Sequence, residues 1–348
     1  MKRRTTVVLA AAASLAVGGA LVQSLAGHAE TTTTATTSKA STSSVAAAAV
    51  TKPLTNSTTF YVDPTSGPAT WVKANSGDSR TATIRKGIST QPMARWYGAW
   101  SGDIKPAVST YVTAAAKKKK TPVLVAYNIP DRDACGKESA GGAAATQYRT
   151  WISQFATGIG KKPALVILEP DALADLSCLS TTAATTRQKL LTYATQQFSK
   201  KAPNAYVYLD AGNSNYATAA AMSKRLKASG INNVRGFSLN VSNYHTTQDE
   251  KAFAAKLNKA LKAKGVSTKR YVIDTSRNGK GSNGTWCNPA GRKIGVTSRV
   301  TKNATTKQPE ARLWIKTPGE SDGSCGVAPG STAGAFDPQI AYNLVKGK

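Results

Sequence analysis

Short apolar runs recur along the chain at Ala94 to Tyr97, Val123 to Tyr127, Ala164 to Leu168, Tyr206 to Leu209, Gly236 to Leu239, Tyr271 to Ile273 and Leu313 to Ile315. They are only three to five residues long and rich in Val, Ile, Leu and aromatic residues, as strands buried on both faces of a parallel sheet must be. Longer segments of helical period lie between most of them. The clearest is Gln248 to Lys264, where Phe253, Leu257 and Leu261 fall on one face. Thr247-Gln248-Asp249-Glu250 supplies capping-box order at its start, and Gly265 follows its end. Seven strands alternating with helices predict an α/β barrel closed or nearly closed by parallel strands, with its chemistry where the strands end.

The first fifty residues depart from this pattern. Met1-Lys2-Arg3-Arg4 precedes an apolar stretch from Val7 to Leu25 and the small residues around His28, the order of a signal peptide, so residues 1–29 are expected to be removed on export. Gly18, Gly19, Gln23 and Ser24 interrupt the apolar stretch and argue against a membrane span. Residues 30–52 are almost wholly Thr, Ser and Ala, too poor in bulky side chains to offset the entropy of ordering, and are expected to form a disordered linker. That leaves 53–348 for one large domain.

The net charge is +28, yet the lysines are spread along helices rather than focused on one face between aromatics, so no nucleic-acid partner is expected. The run Lys117 to Lys120 suits a helix C-terminus, where cations complement the helix dipole. Cys135, Cys178, Cys287 and Cys325 are even in number and lack metal-ligand spacing, which favours two disulfides in an exported chain. Three pairings are open. Pairing the neighbours in sequence, 135 with 178 and 287 with 325, would staple one loop each and is the expected arrangement.

Acids follow four of the strands. Asn128 to Asp133 holds Asp131 and Asp133, Glu169-Pro170-Asp171 follows the third run, Asp210 the fourth, and Lys316 to Gly323 holds Glu320 and Asp322. Such a rim suits either a divalent metal or acid/base chemistry between carboxyl groups. Arg132 and Lys316 would compete with a cation, and carboxylates held close raise one pKa, giving the acid and base that glycosidic hydrolysis uses. No metal or cofactor is expected. His245 is the one histidine beyond the leader, which leaves a Ser/His/Asp triad poorly supported.

Eight ordered stretches then match one family. They are Phe60 to Pro64, Tyr127 to Pro130 with Arg132-Asp133, Ile167 to Leu173, Tyr208 to Gly212, Asn240 to Tyr244, Ile273 to Gly279, Trp286 to Pro289, and Leu313 to Lys316 with Pro318 to Gly323. The chain resembles glycoside hydrolase family 6, the inverting cellulases, over nearly the whole domain. The resemblance implies a distorted, TIM-barrel-like (β/α) barrel of seven parallel strands and a β-1,4-glucan substrate. It makes Asp171 the general acid and Asp322 the base, acting directly or through a water chain. Asp133 would raise the acid's pKa, Asp210 would support the charged centre, and Tyr127 would help distort the sugar. Trp286, Lys316, Glu320 and Asn243 fall at sugar-binding positions.

The matches have departures. One extra residue, Ala134, separates Asp133 from Cys135; Asn213 replaces the histidine that usually follows Asp-Ala-Gly; and Tyr216 stands where the family has a tryptophan platform. Asn213 and Tyr216 are still expected to line the sugar site. Asn278 to Leu313 is too short for a full tunnel cover, so the implied enzyme is a secreted, monomeric endoglucanase with an open cleft. An exo-acting cellobiohydrolase of the same family and a carbohydrate-binding protein without turnover are the alternatives.

Overall fold

The computed structural model describes residues 54–136 and 138–348, so the expected leader and linker lie outside the described residues. Eight strands form one curled sheet: β1 (Arg95–Tyr97), β2 (Val123–Ala126), β3 (Ala164–Leu168), β4 (Ala205–Asp210), β5 (Gly236–Leu239), β6 (Arg270–Asp274), β7 (Arg299–Val300) and β8 (Ala311–Leu313). Their spatial order is β1-β2-β3-β4-β5-β6-β8-β7. All neighbours are parallel except β7 and β8, which are antiparallel. All seven expected runs meet a parallel strand of this sheet.

The side chains show why these runs are apolar throughout. Leu124, Ala126, Val166, Leu168 and Leu209 pack outward among the helices, whereas the alternate residues Val123, Val125, Leu165, Ile167 and Tyr208 fill the inside of the curl. With both faces covered, the period of two separates two cores instead of core from solvent. The outer layer consists of α3 (Ile104–Lys117), α4 (Ala145–Ile159), α5 (Thr181–Lys201), α6 (Ala219–Ala228) and α7 (Thr247–Lys262), one between each successive pair from β1 to β6. The shorter α1 (Gly67–Ala74) and α2 (Thr81–Ile84) precede the sheet, and α8 (Pro338–Lys346) ends the chain. No described helix is long and apolar enough to cross a membrane.

Three details differ from the expectation. The cap of α7 is Thr246, whose hydroxyl accepts from Asp249 N at 3.1 Å, so the capping box begins one residue earlier than Thr247. The last expected run lies late: β8 ends at Leu313, because Ile315 N and Lys316 N bond the Asp274 carboxylate instead of a neighbouring strand. The ladder therefore does not close into a seven-stranded barrel. β1 approaches the segment after β8 through Ala94 N to Trp314 O at 2.9 Å, and the sheet remains a curled, mostly parallel half-barrel of eight strands.

Candidate active site

Helices α3 to α7 run back against the strands, so the turns after β2, β3, β4, β5, β6 and β8 gather at one end of the sheet. These turns are backbone-strained in a regular way. Asp131 and Asp133, Glu169 and Asp171, and Asn240 and Ser242 all have positive φ, two residues apart in each turn. Non-glycine residues adopt this conformation at a cost, least for Asn and Asp, and such strain collects at functional sites. Together the turns line a cleft of about 950 Å³.

Ten of the expected site residues line that cleft: Tyr127, Asp133, Asp171, Asn213, Tyr216, Asn243, Trp286, Lys316, Glu320 and Asp322. Asp210 does not. It is buried beneath the floor, where Oδ2 accepts from Asp171 N at 3.1 Å and Gly212 N at 3.0 Å, and Oδ1 from the Ser238 hydroxyl at 2.8 Å. Burial raises the Asp210 carboxyl against those donors. Asp210 thus fixes the turn that carries Asp171 and does not face the cleft.

Tyr127 donates to Asp133 Oδ1 at 2.8 Å, and Ser139 N donates to Oδ2 at 3.0 Å. Burial, with the nearby Asp133 and Asp171 charges, pushes the Tyr127 phenol well above its usual value, so it stays a neutral donor. The Asp133 loop is pinned by the Cys135–Cys178 disulfide, and a second bridge joins Cys287 to Cys325, so both expected pairs form. Ala134 is accommodated with the bridge intact.

Asp322 sits in a cationic nest. Arg277 Nη1 contacts both carboxylate oxygens at 2.9 and 2.8 Å, Asn288 N donates to Oδ2 at 3.0 Å, and Lys316 Nζ stands 3.7 Å from Oδ1. Burial alone would raise this carboxyl; the Arg277 and Lys316 charges and the Asn288 bond hold it below its ordinary value. Burial raises the neighbouring Glu320, with Lys316 opposing. Tyr244 completes the nest: its hydroxyl donates to Asp322 Oδ2 at 3.4 Å and its ring lies 4.3 Å from the Arg277 guanidinium carbon.

Several contributors escaped the sequence reading. Arg277, Tyr244 and Asp274 belong to stretches that matched the family, but nothing in their spacing reveals that they pair with or brace the acids. Glu169 is fully buried below Asp171's turn, its Oε2 accepting from Asn128 N and Ile129 N at 2.9 and 3.0 Å. Trp96 lines the cleft, its indole N–H bonded to Ile315 O at 2.8 Å. Loops after β2 and β8 also touch, Ser324 N reaching Glu138 Oε2 at 3.5 Å. Among the described residues, no three or more His, Cys, Asp or Glu are grouped to hold a metal ion.

The arrangement can place one carboxyl beside a bound chain and hold another ionised nearby, which is the equipment of a glycosidase. Known proteins agree. Residues 55–348 match the family model described as Glycosyl hydrolases family 6. The chain is 51% identical over 296 residues to Endoglucanase 1 of Streptomyces halstedii, covering 85% of this chain and 91% of that one. It is 40% identical over 290 residues to Endoglucanase A of Cellulomonas fimi, covering 82% of this chain and spanning 61% of that protein's length. The endoglucanase Cel6 from Mycobacterium tuberculosis, solved with methyl-cellobiosyl-4-deoxy-4-thio-β-D-cellobioside, superposes with a TM-score of 0.75 at 38% identity, over 83% of this chain and 97% of that one. On the family match across the whole described fold, and on acids standing where the strand ends put them, the chain belongs to glycoside hydrolase family 6.

Proposed function

We propose that the protein is a secreted endo-β-1,4-glucanase that hydrolyses internal bonds of cellulose or related glucans with inversion at the anomeric carbon. The observation that carries this reading is the contrast between two cleft acids. Asp171 stands on a turn fixed by Asp210, while Asp322 is held as an anion by Arg277 and Lys316. The names of the three proteins compared above, all endoglucanases, and the thio-linked cello-oligosaccharide bound to the Mycobacterium tuberculosis protein support the substrate and the internal mode of cutting.

In the proposed reaction Asp171 protonates the leaving glycosidic oxygen as the C–O bond breaks, and water adds to the opposite face of the sugar. The water's proton passes to Asp322. A carboxylate held below its ordinary value is a weaker base than a free one, and a short chain of waters relaying the proton is compatible with that. Asp133 places a negative charge that favours the protonated Asp171, and neutral Tyr127 holds Asp133 in place. Trp286, Lys316, Glu320, Asn213, Tyr216 and Asn243 bind the sugar chain.

The same reading assigns residues 1–29 to a signal peptide, 30–52 to a linker and 53–348 to the catalytic domain, working extracellularly as a monomer without cofactor, nucleic acid or membrane. The family match beginning at residue 55 supports that boundary. The seven parallel strands then act as staves of a distorted barrel whose seam lies between β1 and β8. Proton NMR of products, taken before mutarotation, tests the mechanism. Initial α-anomer is expected; initial β-anomer would overturn it, because inversion requires carboxyls about 6.5 to 9.5 Å apart with water between them rather than a nucleophile on the sugar.

A further inference from the structure

Trp100 is the most exposed large hydrophobic residue among the described residues, at 58%, and it faces the cleft. It lies on the short helical turn Ala99–Ser101 directly after β1, four residues beyond Trp96. A tryptophan left in water forfeits a large apolar contact area, so one placed at a cleft rim asks for an occupant.

The surroundings of Trp100 are built to hold the ring still. A Cβ added at Gly98 would lie 2.3 to 2.7 Å from three atoms of the indole, so glycine there lets the ring rest on the backbone. Ser101 locks the turn, its hydroxyl accepting from Gly98 N at 3.1 Å. The Arg132 guanidinium carbon stands 5.2 Å from the Trp100 ring centroid and 5.0 Å from that of Tyr127. Arg132 is itself fixed by Nε bonding to Ser139 O at 2.7 Å. With these contacts in place Trp100 is still 58% exposed and lines the cleft, which leaves ring surface for a ligand.

We propose that Trp100 is a glucosyl-stacking platform at the rim formed by the loops after β1 and β2, backed by Arg132. The ligand is a pyranose of the glucan chain, whose axial C–H face lies flat on an aromatic ring. The inference deepens the proposed function and rests on that reading. Because Arg132 bridges Trp100 to Tyr127, which donates to Asp133, a sugar seated on Trp100 also steadies the loop that carries Asp133.

The test uses the full chain carrying Asp171→Asn, titrated calorimetrically with cellohexaose and cellotriose. Adding Trp100→Ala should weaken cellohexaose by ~10-fold, in the range of a buried tryptophan contact, with a smaller loss for cellotriose, which can occupy central subsites alone. Trp100→Phe should restore most of the cellohexaose affinity. In the otherwise unmodified enzyme, Trp100→Ala should raise KM on long chains more than it lowers kcat. Unchanged cellohexaose binding would overturn the proposal. So would equal losses for both oligosaccharides, or no rescue by Trp100→Phe, since either marks Trp100 as mere packing for Arg132. If the unmodified enzyme releases no reducing ends from soluble β-glucan, the hydrolytic reading fails by itself, and the binding titration still decides the platform.

Discussion

Two buried arginine–carboxylate pairs stand at opposite ends of the sheet and do opposite work. At the strand starts, Glu310 meets Arg235; its Oε2 also accepts from Tyr208 at 2.6 Å and its Oε1 from Leu54 N at 3.2 Å, so every bond closes inward. At the strand ends, Asp322 meets Arg277 with similar completeness, but this carboxylate lines the cleft. The surroundings differ too. The helix ends on that side carry exposed Lys117 to Lys120, Lys200, Lys201 and Lys262, whereas the cleft end carries the cleft-lining acids and the paired left-handed turns. A buried ion pair is weak support for stability in itself, since desolvation offsets much of its attraction. At the cleft, the pair instead fixes a charge state, keeping one acid ionised where substrate binds.

The sharpest test of that contrast is Asp171→Asn. The amide preserves shape but cannot donate the proton, so kcat should fall by ~10²–10⁴-fold while the melting temperature barely moves. Activity above a tenth of the unmodified enzyme would refute the role. At the other end, Glu310→Ala strands Arg235 without its partner and should cost about 3–5 kcal/mol of stability. Urea unfolding would measure it, and kcat of the folded fraction should be unchanged. A drop in kcat there would show that the two ends are coupled.

Much of this was legible in the sequence, for a physical reason. Strands covered on both faces leave unmistakable apolar runs, and acids directly after them fall at one rim by topology alone. Ten of eleven expected site residues accordingly line the cleft. Asp210 lies below the cleft because strand-end position fixes height but not which way the carboxyl points; β4 extends one residue past the expected Leu209 and takes Asp210 inward. Arg277 and Tyr244 escaped because partnership across 45 and 78 residues leaves no periodic trace. The seam between β1 and β8 was invisible for a similar reason. Whether strand backbone bonds a neighbour or the Asp274 carboxylate depends on tertiary placement.

The disulfides separate the two ends further, since both bridges staple cleft loops. Native protein should show no titratable thiol. Reduction should cost about 2–4 kcal/mol per bridge, and activity should fall at temperatures where far-UV circular dichroism is still native, because the Asp133 and Asp322 loops loosen before the lysine-rich end opens. Simultaneous loss of activity and secondary structure would show one cooperative unit instead.

The gentlest probe is pH, where two buried acids beneath the cleft should respond with the opposite sign to Glu310. Glu169, below the Asp171 turn, is pushed by burial from 4.5 to about 8, with the Ile129 and Asn128 N–H groups opposing. Glu250, below the Asn213 loop, is raised to about 7 by burial. Between about pH 4.5 and those values the unfolded chain has released these protons and the native chain has not. The native state therefore binds more protons and loses stability as pH rises, by at most about 1.4 kcal/mol per pH unit for each group. Glu310 behaves in reverse: Arg235 and Tyr208 outweigh its burial and hold it below its ordinary value. Its contribution is present above about pH 4.5 and is lost as pH falls through the folded value. Melting temperature should thus peak in mildly acidic buffer and decline on both sides. Glu169→Gln should flatten the decline toward alkaline pH and leave the acid limb alone, because a neutral amide has no proton to release. An alkaline slope unchanged by Glu169→Gln would place the titrating group elsewhere, with Glu250→Gln the next variant to measure.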